Sequence, residues 1–547
     1  MINGKLLSQA IISGANHIAN LKQQVDELNV FPVPDGDTGT NMSMTIQAGK
    51  RALEELTSDC VDKVADTCAA ALLRGARGNS GVILSLLFRG FSKALKGKDV
   101  ANGEDIATAL AVGVENAYKA VMNPTEGTIL TVSRMAAEKA VQVSNQTNDP
   151  IVVFEEMTLA AQKALAQTPE MLPVLKKAGV VDAGGRGFVV ILEGMLSVLK
   201  EGKMIDIEQP IQAKINVVSN PFMNYDGEIK FFYCTEFLVQ KNKDASNSLK
   251  LRAYLESIGD CVVVVDDDSI IKVHVHTNHP GKALEEALHF GTLMNMKIEN
   301  MHEQYQAKQH EIKQTKENHA YAKVDPDRKY GFVAVSTGEG LNALFTDLGV
   351  DKVVSGGQTM NPSTEDILTA IHSVPAQTIF VLPNNKNIIM AAEQAIHLAD
   401  RRVCVLQTRT IPQGLAAMLA FDPEESFADN RVHMTKALDH VQTGQVTFAA
   451  RDSEFEGHHI KEGEILALDN GKLSFIEHDM NKAVYKLTKS LVKKSDSNFI
   501  TIIYGCDVTD EQAEQVHQII SNKYGSSYEI NLVSGGQPVY YYIISVE

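Results

Sequence analysis

Apolar residues follow two different spacings along this chain, and the change falls close to residue 203. Up to that point they recur every three, four or seven positions, as in Leu7, Ile11, Ile18 and Leu21. This spacing is typical of amphipathic helices. It predicts helices over residues 6–28, 42–56, 61–73, 82–95, 106–121, 152–166 and 188–199, so the first region is expected to be all-α.

Beyond residue 203 the apolar residues form short runs rich in β-branched and aromatic side chains, separated by turn residues. Runs of this kind lie at 215–218, 230–239, 261–266 and 270–276. They predict a small central domain of mixed α and β structure. The following stretch, 302–328, is rich in Gln, Lys, Glu and His and is predicted to be a solvated helix or a linker.

From Tyr330 onward, strand-like runs alternate with helical segments, which is typical of a parallel α/β sheet. Examples of these runs are 331–335, 352–354 and 377–382. The tetrapeptide Ser-Gly-Gly-Gln follows a Val-rich run twice, at 355–358 and at 534–537. Two related halves would explain the repetition, and so would a glycine turn that simply recurs after a strand.

The length of the chain indicates several domains. A chain of 547 residues is too long for one hydrophobic core, and a typical size of about 150 residues suggests roughly three to four domains. The predicted fold class is multidomain. The predicted parts are a helical domain at 1–203, a central α+β domain at 204–308, a linker at 309–328 and an α/β domain at 329–547.

Composition argues against several classes of protein. A formal net charge of −17 opposes nonspecific binding to nucleic acid, so no nucleic-acid partner is expected. The six cysteines are scattered without a CxxC spacing, which is typical of reduced thiols in the cytoplasm. The first 20 residues lack the apolar core of a signal peptide, and no stretch is long enough to span a bilayer. A cytoplasmic protein without a membrane span is therefore predicted.

The first candidate functional segment is Asp35-Gly36-Asp37-Thr38-Gly39-Thr40-Asn41, which joins two predicted helices. Two carboxylates separated by one glycine are able to converge on Mg²⁺, which prefers oxygen ligands. The threonine hydroxyls and the start of the next helix, predicted at Asn41, favour an anion such as phosphate. Taken alone, Asp-Gly-Asp is also ordinary turn chemistry.

A second segment, Arg74-Gly75-Ala76-Arg77-Gly78-Asn79-Ser80-Gly81, again places glycines and polar side chains between two predicted helices. Its two guanidinium groups are suited to phosphate oxygens. Arg77, or Arg186 further along, is a candidate to stabilise a transferring phosphoryl group, and a surface or structural role is the alternative for each. Two such loops in one helical domain favour a phosphate site over simple turns.

Together the two segments resemble the ATP-binding subunit of the dihydroxyacetone kinases, a helical-barrel (DhaL-like) family, over residues 1–203. Two later segments, 124–130 and 181–187, are similar to further nucleotide-site loops of that family. The resemblance implies that Asp35 and Asp37 bind Mg²⁺. These two residues, together with the candidate Arg77, are the predicted catalytic residues. A third metal ligand, usually a carboxylate, is implied where this sequence has Asn29. The implied nucleotide-binding residues are Thr38, Thr40, Asn41, Gly78, Asn79, Ser80, Thr128, Asp182, Ala183 and Gly184.

The longer run at 28–42 resembles a narrower family, the fatty acid kinase A (FakA) subunits of Gram-positive bacteria, and this resemblance covers the whole chain. It implies a kinase that uses ATP and Mg²⁺ to phosphorylate the carboxylate of a fatty acid held by a separate, FakB-like carrier protein. The product would be an acyl phosphate for phospholipid synthesis. The C-terminal region resembles the DegV fatty-acid-binding fold, which implies a surface for carrier docking or for dimerisation. A homodimer is expected.

A possible metal cluster lies in the central region. His274 and His276 occupy alternate positions of a predicted strand and so share one face of it. Pairing with the strand that contains Cys234 would give a set suited to Zn²⁺. The alternative from spacing alone is a buried Cys234 with hydrogen-bonded histidines. The fatty acid kinase resemblance implies a functional cluster, either for zinc or close to the substrate.

Two further functions are weighed against the fatty acid kinase. A kinase for a small ketone such as dihydroxyacetone would keep the same phosphoryl chemistry, but its substrate-binding subunit is not evident in this chain. A nonenzymatic lipid-binding or regulatory adaptor would have no use for the two phosphate-binding segments. Gly338-Glu339-Gly340 partly resembles a dinucleotide-binding fingerprint but lacks its acidic residue after the next strand, so dinucleotide binding is not predicted.

Overall fold

A computed structural model describes residues 1–29, 36–121, 124–207, 233–242, 249–266, 270–300, 322–357, 360–450, 452–455, 458–495 and 497–547. The chain forms two compact units. One comprises Met1–Gln209 together with Ala322–Glu547, and the other comprises Pro210–Tyr321. Within the described residues, no helix combines the length and the apolar character needed to cross a membrane.

The N-terminal region is a closed ring of helices. Its helices are α1 (Gly4–Asp26), α2 (Thr38–Glu54), α3 (Val61–Gly75), α4 (Gly78–Ala94), α5 (Gly103–Ala120), α6 (Ile129–Ser144), α7 (Pro150–Met171), α8 (Pro173–Ala178) and α9 (Ala183–Glu201). From α1 to α7 each helix packs on the next, α7 packs on α9, and α9 packs back on α1. The short strands β1 (Ile2–Asn3) and β2 (Val100–Ala101) pair antiparallel. The predicted helical barrel is therefore confirmed.

Glycines allow two of the helix pairs to cross closely. Gly90 of α4 lies against Gly113 of α5, and a Cβ on Gly90 would lie 2.5 Å from the Gly113 Cα. Gly194 of α9 lies against Gly14 of α1, and a Cβ on Gly194 would lie 2.8 Å from the Gly14 Cα. Because a real Cβ does not tolerate such distances, these positions hold the backbones of neighbouring helices almost in contact.

The structure corrects several details of the predicted helices. It adds α6 and α8, which the apolar spacing did not reveal. The prediction that Asn41 begins the second helix is wrong, since α2 begins at Thr38. The physical reason is the Asp26 carboxylate at the end of α1, whose Oδ1 accepts hydrogen bonds from the backbone N–H groups of Gly39 (2.6 Å) and Thr40 (3.2 Å). These bonds satisfy amides that a new helix leaves unpaired.

The described residues of the central unit form an antiparallel sheet with the strand order β4-β5-β3-β6. Its elements are β3 (Tyr233–Lys241), α10 (Leu249–Ile258), β4 (Gly259–Asp266), β5 (Ile270–Thr277), α11 (Pro280–Leu288) and β6 (Gly291–Asn300). A small core that includes Phe237, Leu255, Val273 and Ala287 lies between the sheet and the two helices. The predicted run at 215–218 lies outside the described residues, as does most of the predicted linker.

The C-terminal region begins with a fully parallel sheet of order β10-β9-β7-β8. Its elements are β7 (Tyr330–Ser336), α12 (Glu339–Asp347), β8 (Lys352–Ser355), α13 (Thr364–Ser373), β9 (Thr378–Leu382), α14 (Ile389–Ile396), β10 (Arg402–Val405), α15 (Ile411–Leu419) and α16 (Phe427–His440). Strand β8 pairs with one edge of β7, and β9 then pairs with the opposite edge of β7. This half of the region agrees with the prediction of a parallel sheet.

The second half contains a mixed sheet of order β15-β14-β11-β18-β16-β17, in which only β16 and β17 are parallel. Its elements are β11 (Gln442–Phe448), the hairpin β12 (Ser453–Phe455) and β13 (His458–Ile460), β14 (Ile465–Asp469), β15 (Lys472–Glu477), α17 (Met480–Val492), β16 (Phe499–Tyr504), α18 (Asp510–Tyr524), β17 (Glu529–Ser534) and β18 (Tyr542–Val546). The prediction of a parallel sheet is wrong here. Asn470 and Gly471, both with positive φ (49° and 77°), form a tight turn that returns the chain antiparallel.

The two Ser-Gly-Gly segments follow the same local structure. One follows β7-α12-β8 and the other follows β16-α18-β17, and in both the two strands are parallel neighbours. The second segment also connects the halves, because Leu341 donates its N–H to the Gly535 carbonyl at 3.0 Å. A Cβ on Gly340 would lie 1.8 Å from the Ser534 carbonyl oxygen. The glycines that resemble a dinucleotide fingerprint therefore serve packing between the halves.

The C-terminal parallel sheet and the helical ring share one hydrophobic core. Helix α13 packs on α3, and α14 packs on α4. Ile367 and Ile371 of α13 and Ala392 of α14 are fully buried in the same cluster as the ring helices. An ion pair between Arg74 and Glu365 (2.7 Å) lies at the rim of this contact. The carboxyl ends of the parallel strands consequently lie beside the ring.

Candidate functional site

Four helices of the ring begin at one cavity of about 740 Å³. The first turns of α2, α4, α6 and α9 supply Asp37 and Thr38, Asn79 and Ser80, Thr128 and Ile129, and Asp182 and Gly184 to its lining. A helix N-terminus presents unpaired N–H groups and a positive partial charge, which favour an anion. Four such ends on one cavity make this the principal candidate site in the described part of the chain.

The start of α2 is held by side-chain hydrogen bonds. Asp26 accepts the Thr40 hydroxyl at 2.7 Å, in addition to the two backbone N–H groups of the first turn. The Asn29 amide donates to the Asp26 carbonyl at 2.9 Å, and its Oδ1 accepts the Thr38 hydroxyl at 2.8 Å. Asp37 precedes the helix and does not cap it with its side chain. The first turn of α2 therefore does not use the Asp37 carboxylate as a hydrogen-bond acceptor.

The start of α4 depends on a glycine. Gly78 has φ +56°, and a Cβ there would lie 2.5 Å from Asn41 Nδ2. The Thr45 hydroxyl donates to the Asn41 carbonyl at 2.7 Å and accepts the Arg77 N–H at 3.2 Å, which ties the starts of α2 and α4 together. Asn79 Oδ1 is buried at the cavity without a hydrogen-bond partner among the described residues. An unpaired buried carbonyl oxygen in a polar cavity is available to a metal ion or to a ligand donor.

Asp182 joins the starts of α6 and α9. Its Oδ2 accepts the Gly185 N–H at 2.7 Å, and the Ile129 N–H also bonds to the carboxylate. Burial nevertheless raises the pKa of Asp182 from 3.8 to about 6, because these two hydrogen bonds only partly offset the loss of solvation. Thr128 caps α6 by accepting the Leu130 N–H. A carboxylate with a raised pKa in a cavity is a common property of functional sites.

The far wall of the cavity comes from the C-terminal region. Asn361, only 3% exposed, donates from Nδ2 to Asp37 Oδ2 at 2.7 Å. Its carbonyl accepts Arg77 Nη1 at 2.8 Å, and Arg77 Nη2 lies 3.4 Å from Asp366. The predicted catalytic Arg77 therefore contacts the C-terminal region and does not line the cavity. Arg186 lies 3.4 Å from Glu193.

The structure brings most of the predicted nucleotide residues together. The predicted residues that line the cavity are Asn29, Asp37, Thr38, Asn41, Asn79, Ser80, Thr128, Asp182 and Gly184. Those outside its lining are Thr40, Arg77, Gly78 and Ala183, of which Thr40 and Gly78 shape the helix starts. Asp35 lies outside the described residues. The individual roles of all these residues stay predictions.

Sequence reasoning missed two kinds of residue. Asp26 holds the start of α2, and an acidic residue shortly upstream of Asp-Gly-Asp was a usable signal for it. Asn361 and the cavity residues beyond it lie in a distant part of the sequence, and Asn361 is 324 positions from Asp37. Nothing in the local sequence around Asn361 indicates that contact.

The donor atoms around the cavity suit magnesium and a nucleotide. Asp37 supplies a carboxylate, and Asn29 and Asn79 supply amide carbonyl oxygens, which are the ligand types that Mg²⁺ prefers. Phosphates would meet the helix N-termini and the hydroxyls of Thr38, Ser80 and Thr128. The residues present therefore fit both groups.

The predicted zinc set lies in the central unit. The register of β3 and β5 sets Cys234 opposite His276 and Glu236 opposite His274, and His276 is buried. The side chains of Cys234 and His274 lie outside the described part of the structure. Among the side chains that are described, no three of His, Cys, Asp or Glu are grouped as a metal site. The zinc site stays a prediction.

Comparisons with known protein families cover nearly the whole chain. Residues 32–197 match the DAK2 domain. Residues 230–308 match the FakA-like middle domain of the fatty acid kinases, and residues 331–547 match the FakA-like C-terminal domain. The fold and the cavity thus define a multidomain protein with a DAK2-type helical domain and an α/β C-terminal domain, which confirms the predicted fold class.

Relatives match along their full length. Protein YloV of Bacillus subtilis is 41% identical over 554 residues, which span 100% of this chain and 99% of that protein. An uncharacterized protein of Staphylococcus haemolyticus is 41% identical over 557 residues, with the same coverage. The chain belongs to the FakA-like family of fatty acid kinases, as its sequence resemblance predicted.

Solved structures resemble parts of the chain. A DegV family protein from Corynebacterium glutamicum covers 40% of this chain and 96% of its own, with a TM-score of 0.32 and 15% identity. The dihydroxyacetone kinase from C. freundii, in complex with AMP-PNP and Mg²⁺, covers 36% of this chain and 34% of its own, with a TM-score of 0.29 and 19% identity.

Proposed function

We propose that this chain is an ATP- and Mg²⁺-dependent kinase that phosphorylates the carboxylate of a fatty acid held by a separate carrier protein. The product is an acyl phosphate for phospholipid synthesis. The observation that supports the proposal best is the convergence of four helix N-termini and two aspartates, Asp37 and Asp182, on one cavity. Membership of the FakA-like family supports the choice of acceptor.

In this proposal the nucleotide phosphates lie at the helix N-termini, and Asp37, Asn29 and Asp35, the last outside the described residues, hold magnesium. Bound magnesium would neutralise phosphate charge and orient the terminal phosphoryl group. The hydroxyls of Thr38, Ser80 and Thr128 bind phosphate oxygens. Asn41, buried behind Gly78, keeps the starts of α2 and α4 in register. Asp26 acts through the start of α2 and is a positioning residue.

The reaction needs no strong general base on the enzyme. A carboxylate oxygen of the fatty acid attacks the γ-phosphorus, a new O–P bond forms, and the bond to the β-phosphate oxygen breaks as ADP leaves. Because the nucleophile is already an anion, positioning and charge neutralisation supply the catalysis. This agrees with a cavity whose described lining contains hydroxyls, amides, carboxylates and cationic side chains but no histidine or cysteine.

We place the reaction in the cytoplasm, with a homodimeric enzyme and a fatty-acid-binding, FakB-like carrier as its partner. The described cysteines Cys60, Cys68, Cys404 and Cys506 are free thiols, which agrees with a reducing compartment. The residues Cys234, His274 and His276 are proposed to form a second site in the central unit, either for zinc or close to the acyl substrate.

The test compares phosphate transfer by wild type and Asp37→Asn. The variant keeps a side-chain acceptor for Asn361 but removes the charge, so kcat with ATP, Mg²⁺ and carrier-bound fatty acid should fall by at least about 100-fold. Asp149→Asn is the matched control, because Asp149 also precedes a helix but is exposed and outside the cavity. Unchanged turnover in Asp37→Asn would reject the metal assignment.

The same assay separates the alternatives. Labelled ATP is supplied with either the lipid-loaded carrier or dihydroxyacetone. Transfer to dihydroxyacetone alone would assign a small-ketone kinase. Saturable ATP binding without any transfer would assign a regulatory adaptor.

A further inference from the structure

The cavity extends beyond the nucleotide residues to the carboxyl ends of the C-terminal parallel strands. Thr337 follows β7, Lys386 follows β9 and Arg409 follows β10, and all three line the cavity. These strands are neighbours in the order β10-β9-β7. One hydroxyl and two cationic side chains are therefore brought to the same edge of one sheet by three separate loops.

This edge is the point at which the sheet changes winding direction. The chain leaves β7 for β8 on one side, while β9 and β10 are added on the other. In open parallel sheets, ligands bind outside the carboxyl ends of the strands at such a point. Asn384, which follows β9 and is 6% exposed, adopts φ +55°, and its Nδ2 donates to the Val335 carbonyl at 3.0 Å. The left-handed φ, which asparagine tolerates, and the buried hydrogen bond fix the start of this loop.

The cationic side chains at this edge lack carboxylate partners among the described residues. Neither Lys386 nor Arg409 forms an ion pair with a carboxylate in the described part of the chain, and the same holds for Lys472, which also lines the cavity. The first turn of α15 adds a fifth helix N-terminus at Thr410 and Ile411. Like charges on one concave wall give it a positive potential, which favours an anion.

The two walls of the cavity therefore differ in charge. The described carboxylates of its lining, Asp37 and Asp182, lie on the helical ring, whereas Lys386, Arg409 and Lys472 lie on the C-terminal wall. A magnesium nucleotide suits the first wall, and a second oxyanion suits the other. In a single cavity these two ligands would face each other.

We propose that Thr337, Lys386 and Arg409 form an oxyanion subsite for the carboxylate of the acceptor and for the phosphate of the product. The inference rests on the proposed kinase function for the identity of the acceptor, but the subsite itself is defined by the C-terminal wall. Its consequence is that the C-terminal region takes part directly in substrate binding at the nucleotide cavity.

Binding of small anions to the full-length chain tests the subsite without the carrier. Isothermal titration calorimetry would measure inorganic phosphate and sodium acetate, each with and without Mg²⁺ and ADP, at constant ionic strength. Wild type should bind phosphate both with and without the nucleotide. Thr337→Val, Lys386→Ala and Arg409→Ala should each weaken phosphate binding by about tenfold, since each removes a donor to an anion. Acetate binding that falls in parallel would show that the subsite also accepts a carboxylate.

Lys523→Ala is the matched control, because Lys523 is an exposed cation of the same region on α18 and lies outside the cavity lining. Affinity for Mg²⁺ and ADP should stay within about twofold of wild type in all four variants, because the nucleotide residues lie on the other wall. Phosphate affinity that is equal in Arg409→Ala, Lys386→Ala and wild type would overturn the inference.

Failure of the inference is distinguishable from failure of the kinase proposal. If the kinase proposal is wrong, nucleotide binding or transfer to the carrier-bound fatty acid is absent in wild type, while anion binding still depends on Lys386 and Arg409. If the subsite is wrong, wild type transfers phosphate and the three variants match it in KM for the loaded carrier and in kcat.

Discussion

Asp182→Asn is expected to stabilise the ligand-free protein while it impairs the site. Burial raises the pKa of Asp182 from 3.8 to about 6, so the folded state holds this proton more tightly than the unfolded chain does. Protonation thus favours folding, and the ionised carboxylate lowers the free energy of unfolding as pH rises from about 4 through about 6. Above that range the free energy of unfolding is lowered by a constant amount.

The magnitude follows from the shift. A difference of roughly two pKa units corresponds to about 3 kcal/mol at most. The Asp182 side chain is partly accessible to solvent, which reduces the expected value to about 1 to 3 kcal/mol. Asparagine caps a helix about as well as aspartate does, so the hydrogen bond from Gly185 should survive the substitution.

Scanning calorimetry of the full-length chain from pH 5 to pH 8 would test this reasoning, using the transition that Mg²⁺ and ADP shift. The free energy of unfolding of the variant should exceed that of wild type by about half of the full difference at pH 5 and by the full, constant amount above pH 7. Its nucleotide affinity should fall. Asp149→Asn provides the comparison, since Asp149 is an exposed N-cap whose side chain accepts the Ile151 N–H. A gain for Asp182→Asn that does not depend on pH, or a loss above pH 7, would refute the assignment of a buried charge.

Three further substitutions have defined outcomes. Gly78→Ala should destabilise the protein by about 1 to 3 kcal/mol and weaken nucleotide binding, because its Cβ would meet Asn41. Gly179→Ala is the control, since Gly179 has a similar φ with open space around it. It should lower the free energy of unfolding by less in chemical denaturation and leave nucleotide binding intact. Asn361→Ala removes the donor to Asp37 and should lower apparent Mg²⁺ affinity by about tenfold in a magnesium titration of activity; an unchanged titration would contradict a role in positioning Asp37. Ile371→Ala should lower the free energy of unfolding by about 2 to 5 kcal/mol, because Ile371 is buried in the contact between α13 and the ring. Loss of the exposed Arg74–Glu365 pair should lower it by less than about 1 kcal/mol, and calorimetry measures both.

Local sequence patterns predicted a helix or strand well where its structure depends only on its own residues. The apolar spacing of α1 depends on residues a few positions apart. The start of α2 was misplaced because its first amides are satisfied by Asp26, a residue of the preceding helix. The mixed C-terminal sheet was mistaken for a parallel one, although Asn470-Gly471 is a hairpin signal that the alternation of strands and helices obscured.

The sequence by itself determined the helical ring, the two phosphate-binding segments and the family, because each depends on short-range periodicity or on runs of adjacent residues. Only the tertiary structure decided that the C-terminal region forms the second wall of the nucleotide cavity. That wall depends on packing of α13 and α14 against the ring, and it joins Asn361 to Asp37 and brings Lys386 and Arg409 to the same cavity. Local propensity carries no information about contacts between residues hundreds of positions apart, which are set by how the apolar faces of whole domains fit together.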